Sequence, residues 1–275
     1  MRDCRYRRRS KLKNRSFAII AVIIMLLGVG LSGCDNSGAS SSGEKIGIIG
    51  AMDVELDSLK EAAGIENTSK IAEMEYCEGT LGDKKVVIVK CGMGKVNAGI
   101  CADTLINDFG CTKIINTGVA GSLDNTLNIG DIVVSEDAVQ HDFDVEHIGY
   151  KKGEIPYTGL YAFSADEDLR AAAVEAVEAA APDVKVYEGR ICSGDQFIHS
   201  KEQKDEIIEN FGGMCCEMEG AAVAQACYLN STPFVIIRAV SDKVDETDAV
   251  EYAEFESVAA ARSAKVVEHM VGHMK

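Results

Sequence analysis

The chain has 275 residues, with 28 Lys or Arg against 44 Asp or Glu, a net charge of −16 at pH 7. Eight of the basic residues fall within the first 15 positions, so residues 34 onward carry 20 basic and 43 acidic side chains, a net charge of −23. A body that acidic repels phosphate backbones and anionic headgroups, which argues against a nucleic-acid partner and against membrane contact through the protein surface.

The first 44 residues stand apart. Arg2, Arg5, Arg7, Arg8, Arg9, Lys11, Lys13 and Arg15 precede an apolar run over residues 17–31, the layout of a secretory signal. The run is short for a membrane span. It ends in Leu31-Ser32-Gly33-Cys34, which resembles the lipobox of bacterial lipoproteins. That resemblance implies cleavage after residue 33, lipidation of Cys34, and anchoring to the outer face of the bacterial cytoplasmic membrane. An uncleaved signal anchor is the alternative. Residues 34–44, rich in Ser and Gly, read as a flexible tether. Residues 45–275 then form one domain, long enough for a single large α/β core. Beyond Cys34, Cys77, Cys91, Cys101, Cys111, Cys192, Cys215, Cys216 and Cys227 show no zinc spacing and read as small core hydrophobes. Such usage is more typical of cytosolic proteins, so a fold of cytosolic type is here joined to an export signal.

Within the domain, Lys45-Ile46-Gly47-Ile48-Ile49-Gly50 reads as a strand, and a helix opens at Ala51-Met52-Asp53-Val54-Glu55 and ends at Gly64. Glu55 is either an acid in a first helical turn, where the macrodipole favours it, or a carboxylate held beside a ligand. Residues 73–80 and 84–91 read as a hairpin. Gly92-Met93-Gly94-Lys95 sets two glycines before a helix at 95–109, which permits close backbone approach to a ligand but lacks Walker spacing. Residues 113–117 read as a buried strand running into a small-residue turn, Gly118-Val119-Ala120-Gly121, and 130–135 as a further strand. Residues 140–163 have the composition of a long lid or interface loop. His141 and His147 within it lack a third ligand at metal spacing and read as surface or interface histidines.

A helix over 165–181 and a strand over 184–192 lead to Ser193-Gly194-Asp195-Gln196-Phe197-Ile198. Phe197 there is either a core ring or one that stacks on a flat heterocycle. After a helix at 201–210 comes Glu217-Met218-Glu219, ahead of a small-residue helix. Residues 234–237 are apolar without alternation, as in a central strand buried on both faces. Arg238 and then Ser241-Asp242 follow where such a strand ends, at the sheet edge where open α/β folds bind ligands. Taken alone, Asp242 reads more readily as a cap of the next helix. An amphipathic helix over 250–271 closes the chain.

In order, Gly50-Ala51-Met52 with Glu55, Gly92-Met93-Gly94-Lys95, Asn116-Thr117-Gly118-Val119-Ala120-Gly121, Gly130-Asp131, Ser193-Gly194-Asp195-Gln196-Phe197-Ile198, Glu217-Met218-Glu219 and Arg238-Ala239-Val240-Ser241-Asp242 form a series. It closely resembles that of the 5′-methylthioadenosine/S-adenosylhomocysteine nucleosidases, in the purine nucleoside phosphorylase-like superfamily. The resemblance spans residues 45–275. It implies a three-layer α/β/α domain around a mixed, partly barrel-like sheet, a homodimer, and hydrolysis of an adenine N-glycosidic bond without metal or cofactor. By position it makes Glu55 the general base and Asp242 the acid that protonates adenine, oriented by Ser241. Glu219 would bind the ribose hydroxyls, with Arg238 near it and Met218 along the sugar. Phe197 would stack on adenine and Ile198 would meet it through backbone hydrogen bonds. Met52, Met93 and Tyr252 would line the 5′-alkylthio side, Val119, Ala120 and Gly121 would form the turn beside the nucleoside, and Ile148 and Pro156 of the partner subunit would close the pocket.

The chemistry asks for those groups independently. Adenine leaves poorly as an anion, the sugar becomes oxocarbenium-like, and water must attack the opposite face, which is the logic of an inverting glycosidase with one acid and one base. Differing burial is expected to keep Asp242 protonated while Glu55 stays ionised. Two departures stand out: Val119 replaces a serine of some members, and Tyr252 replaces a phenylalanine. Three rival readings remain at this stage. They are a phosphorolytic relative, a hydrolase for another nucleoside such as aminodeoxyfutalosine, and a nucleoside-binding lipoprotein without catalysis.

Overall fold

A computed structural model describes residues 43–243 and 248–274, with side chains from 255 onward in the last stretch. The signal segment, Cys34, nearly all of the tether and the side chain of Tyr252 lie outside the described residues.

Among the described residues, ten strands join in one mixed sheet. They are β1 (Lys45–Gly50), β2 (Asn67–Ile71), β3 (Met74–Leu81), β4 (Lys84–Lys90), β5 (Lys113–Ser122), β6 (Ile132–Gln140), β7 (Phe163–Ser164), β8 (Val186–Ser193), β9 (Cys215–Glu217) and β10 (Phe234–Asp242). β1 runs parallel to β4 on one side and β5 on the other, and β2, β3 and β4 continue as an antiparallel meander. β10 pairs with β5 and β6, β6 with β8, β8 with β9, and β9 with β5 again. Those five strands close on themselves, giving the expected barrel-like part and removing edges there. All nine residues of β10 are buried, as befits a strand shared by the barrel wall and the helical layers.

The helices are α1 (Asp57–Ala63), α2 (Lys95–Asn107), α3 (Glu167–Ala180), α4 (Lys201–Phe211), α5 (Gly220–Leu229) and α6 (Asp248–His273). α2 and α5 pack one face of the sheet through Ala98, Ala102, Leu105, Ala221, Ala224 and Cys227. α1, α3 and α6 cover the other through Leu59, Leu169, Val177, Val267 and Met270. The small side chains on α2 and α5 let those helices approach closely enough to exclude water. α4 sits over a smaller cluster of Val139, Cys192, Ile198, Ile207, Phe211 and Cys216. The eight described cysteines are free and buried.

Several local expectations are corrected. Gly118 to Gly121 is not a turn: β5 runs through it because β10 also continues, pairing Arg238 with Gly118 and Val240 with Ala120. Arg238 accordingly stands mid-strand, and only Ser241-Asp242 reaches the strand end. The helix expected to open at Ala51 starts instead with a 3-10 turn, Asp53–Glu55, ahead of α1. Strand β2 is polar and mostly exposed, so no apolar pattern announced it. His141 is 6 % exposed, not a surface residue. Its ring packs on Gly194, leaving no room there for a Cβ, and burial pushes its pKa down. His147 is exposed as expected.

Candidate active site

The carboxyl ends of β1, β5 and β10 and the segment around β9 meet at a cleft of ≈ 490 Å³, counting its open mouth. It is lined by Met52, Glu55, Met93, Val119, Ala120, Gly121, Phe197, Met218, Glu219, Arg238, Ser241 and Asp242, all named from the sequence, together with Ala51, Cys216 and Glu217. A mostly apolar cleft with a few convergent polar groups suits a small-molecule ligand. A larger open depression lies between residues 163–168 and 227–234. Its acids Glu167 and Asp168 fall in the first turn of α3, with Asp166 as that helix's N-cap, so no chemistry converges there.

Glu55 is almost fully buried. One carboxylate oxygen accepts the backbone N–H groups of Ala51 at 2.7 Å and Met52 at 3.0 Å, and the other accepts that of Val119 at 3.2 Å. Thus the tight turn after β1 is held by the side chain it delivers. Burial raises the pKa of Glu55, against the opposing pull of the Arg238 charge and the three N–H groups. Gly118 makes the arrangement possible, since a Cβ there would collide with both Arg238 and Glu55.

Glu219 accepts the backbone N–H of Gly94 at 2.9 Å, which explains the glycine pair in that loop. Gly92 and Gly94 both have positive φ, +80° and +98°, a conformation glycine adopts without penalty. Burial and the neighbouring Glu217 charge push the Glu219 carboxyl up to about 7. Glu217 itself accepts hydrogen bonds from Ser193 Oγ, Arg238 Nη2, the Glu219 N–H at 3.1 Å and the Gly220 N–H at 2.8 Å. Ser193 Oγ in turn accepts the N–H of Ala221 at 2.7 Å. Arg238 also donates to Asn116 Oδ1 at 2.6 Å, and Asn116 Nδ2 to the Ile49 carbonyl at 3.0 Å. Arg238 therefore stands among Glu55, Glu217 and Glu219, as a buried guanidinium must if those carboxylates are to stay charged.

Asp242 is 2 % exposed, as deeply buried as Glu55, so the expected difference in burial between the two carboxyls is not there and what sets them apart is their partners. Asp242 Oδ1 accepts Ser241 Oγ at 2.8 Å, while Ser241 Oγ is also within 3.3 Å of the Ala120 carbonyl. Phe197, 46 % exposed, presents its ring to the cleft, and Met93 stands exposed at the mouth. Ile198 does not line the cleft. Its side chain is buried in the cluster under α4. Ile148 and Pro156 also stand outside the cleft wall of the single chain, Ile148 being 71 % exposed. Gly130-Asp131 proves architectural, because Asp131 accepts the N–H groups of Asn128 at 2.8 Å and Lys185 at 3.0 Å.

Sequence reasoning gave no separate part to Glu217, Asn116, Ser193 or Lys204. Lys204, on α4, is fully buried with Nζ 3.4 Å from Asp242 Oδ2. Among the described residues, no group of three or more His, Cys, Asp or Glu could hold a metal ion.

The profile of the phosphorylase superfamily matches residues 45–272. A 5′-methylthioadenosine/S-adenosylhomocysteine nucleosidase of Exiguobacterium sp. is 40% identical over 225 residues, covering 81% of this chain and 95% of that protein. The enzyme of the same description from Staphylococcus aureus is 40% identical over 230 residues, 83% of this chain and 100% of its own. Among solved structures, the nucleosidase from Neisseria meningitidis in complex with methylthio-immucillin-A has a TM-score of 0.78 at 39% identity, covering 83% of this chain and 99% of that one. The futalosine hydrolase of Helicobacter pylori gives a TM-score of 0.78 at 34% identity, with 83% and 97% covered.

Proposed function

This chain belongs to the phosphorylase superfamily and, within it, to the 5′-methylthioadenosine/S-adenosylhomocysteine nucleosidases, and from that premise we propose the reaction its cleft performs. The substrates are 5′-methylthioadenosine, S-adenosylhomocysteine and related 5′-substituted adenosines, hydrolysed at the N-glycosidic bond. Glu55 takes a proton from the attacking water, whose oxygen bonds to C1′. The C1′–N9 bond breaks, its electron pair passes to adenine, and Asp242 delivers a proton to N7. Glu219 accepts the ribose hydroxyls and Phe197 stacks on the base. The products are adenine and the 5-substituted ribose.

The observation that carries this reading is the meeting of Glu55, Glu219 and Asp242 around one cleft. Attack by phosphate would require a cationic cradle. The buried guanidinium is instead engaged by Glu217 and Asn116, and a carboxylate, Glu55, lines the same cleft. An adenine-release assay over a panel of 5′-substituted adenosines tests the reading. Turnover of the methylthio and homocysteinyl compounds supports it, and inertness toward all of them contradicts it. The likeness to a futalosine hydrolase supports a second reading, in which the same catalytic groups act on a futalosine-type nucleoside; the same panel, with that compound included, separates the two.

Two further features belong to this proposal. The chain works as a homodimer in which Ile148 and Pro156 of one copy close the other's pocket. Val96 and Ile100, one helical turn apart on α2, are 72 % and 45 % exposed, and Tyr157 is wholly exposed, an apolar set suited to a partner subunit. Sedimentation of the purified protein at twice the mass of the chain supports the dimer. The enzyme is exported and anchored through a lipid on Cys34, as the basic block, short apolar run and lipobox-like sequence imply. Incorporation of labelled fatty acid that is lost in Cys34→Ala tests the anchor.

A further inference from the structure

We propose that Lys204 is a positioning residue for the acid that protonates the leaving base, and that its charge sets how high in pH the enzyme remains active. This rests on the assignment of Asp242 as that acid. Lys204 is the fourth residue of α4, a helix started by a capping box between Ser200 and Gln203. Its side chain is fully buried, a costly state for an ammonium unless it is paired and hydrogen-bonded. Nζ donates to the Lys243 carbonyl at 2.7 Å and lies 3.4 Å from Asp242 Oδ2. These are not the only interactions of either side chain. A Cβ on Gly121 would approach the same oxygen to 2.7 Å, so the uncharged backbone of β5 packs close to that oxygen as well.

The other charged groups facing Asp242 can be named by element. From β10 itself come Ser241, donating to Oδ1, and Arg238, which is held by Glu217. Across the cleft stand Glu55, Glu217 and Glu219. Lys201, earlier on α4, is turned to solvent and paired with Asp205. Asp245, Glu246 and the side chain of Asp248 lie outside the described residues. Lys243 follows Asp242 directly in the chain, and Lys204 brings an ammonium to 3.4 Å from Asp242 Oδ2.

When Asp242 gives its proton to the base, a carboxylate remains. An ammonium at 3.4 Å stabilises that carboxylate more than the neutral acid it came from, so it favours the transfer. The same preference makes the acid lose its proton to solvent at lower pH in the resting enzyme. Lys204 thus exchanges alkaline range for a stronger donor. The hydrogen bond to the Lys243 carbonyl fixes the ammonium, and with it the position of the Asp242 carboxyl at the end of β10.

The test is the pH dependence of kcat/KM for adenine release by the wild type, K204M, K204Q and K204R. Loss of the charge in K204M and K204Q is expected to move the alkaline limb up by about one pH unit or more and to lower the plateau below it. K204R, which keeps the charge, is expected to leave the limb near its wild-type place. A limb that stays put in K204M and K204Q would overturn the proposal and reduce Lys204 to an anchor for α4. If neither neutral variant folds, the labelled Lys204 ammonium signal, identified by its loss in K204R, is expected to shift with pH as Asp242 loses its proton in the wild type and not in D242N, and a signal that behaves alike in both would overturn the proposal. A wild type that releases no adenine from any nucleoside would refute the assigned reaction instead, and the Lys204 signal would still report on the pair.

Discussion

The Arg238 guanidinium is paired with the Glu217 carboxylate in the middle of the protein, their side chains 1 % and 3 % exposed. Although both line the cleft, so little of either side chain is exposed that water is a poor substitute for the missing partner. Removing the cation in R238M therefore leaves Glu55, Glu217 and Glu219 mutually repelling in a poorly hydrated site. The expected cost is about 3–5 kcal/mol of folding stability, read as a lowered midpoint in urea. An unchanged midpoint would mean that the carboxylates lose their charge at little expense once the guanidinium is gone.

Glu55 and Asp242 make opposite proton transfers, so each should be separately indispensable to the chemical step. E55Q and D242N are each expected to reduce kcat by about 10²- to 10⁴-fold. D242N should still bind adenine, because Phe197 and the cleft wall are untouched. E55Q should in addition lose stability, since its amide nitrogen, unable to accept, must face either the Ala51 and Met52 N–H groups or that of Val119. Single-turnover measurements with saturating substrate separate these effects. Full activity in either variant would remove that residue from its assigned role.

Gly118 marks how tightly Arg238 and Glu55 are packed on the backbone of β5. G118A inserts a methyl where both side chains already stand. Displacing them should cost about 1–3 kcal/mol and lower kcat, whereas G99A, on α2 with open space around its Cβ position, should do neither. Thermal denaturation of the two variants, compared with the wild type, checks the contrast.

Glu219 gives the site a pH signature in stability. Its carboxyl is raised from 4.5 to about 7, chiefly by burial and then by Glu217. The folded state thus holds this proton more tightly than the unfolded chain does. The resulting stabilisation is complete below about pH 4.5 and is lost as pH rises toward 7. The difference in melting temperature between wild type and E219Q should therefore change across that window, with the wild type losing ground as pH rises. A difference that stays constant from pH 4.5 to 7 would contradict the shift.

Taken singly, Glu55 and Asp242 read as a first-turn acid and a helix cap, and the cleft was legible only because the ordered series of motifs resembles a known family. Glu55, Glu219 and Asp242 each follow a strand or small-residue segment and come with glycines, serine or methionine in fixed local order, and all three line one cleft. The α/β/α layers and the partly closed sheet were legible for the same reason. What depends on register between distant strands was not. Gly118-Val119-Ala120-Gly121 has turn composition, yet it is strand because Arg238 to Val240 lies alongside it. Lys204 differs from Lys201 in no local feature, and only the docking of α4 against the end of β10 buries one and exposes the other. His141 looked like a loop residue until Gly194 was found beneath its ring.

The most direct measurement is isotopic. Purified protein is given 5′-methylthioadenosine in ¹⁸O-labelled water free of phosphate, and the products are weighed by mass spectrometry. Adenine and methylthioribose should appear in equal amounts, with one labelled oxygen in the sugar, and added phosphate should change neither the rate nor the products. Adenine release that waits for phosphate, or a sugar that emerges phosphorylated and unlabelled, would contradict hydrolysis through Glu55.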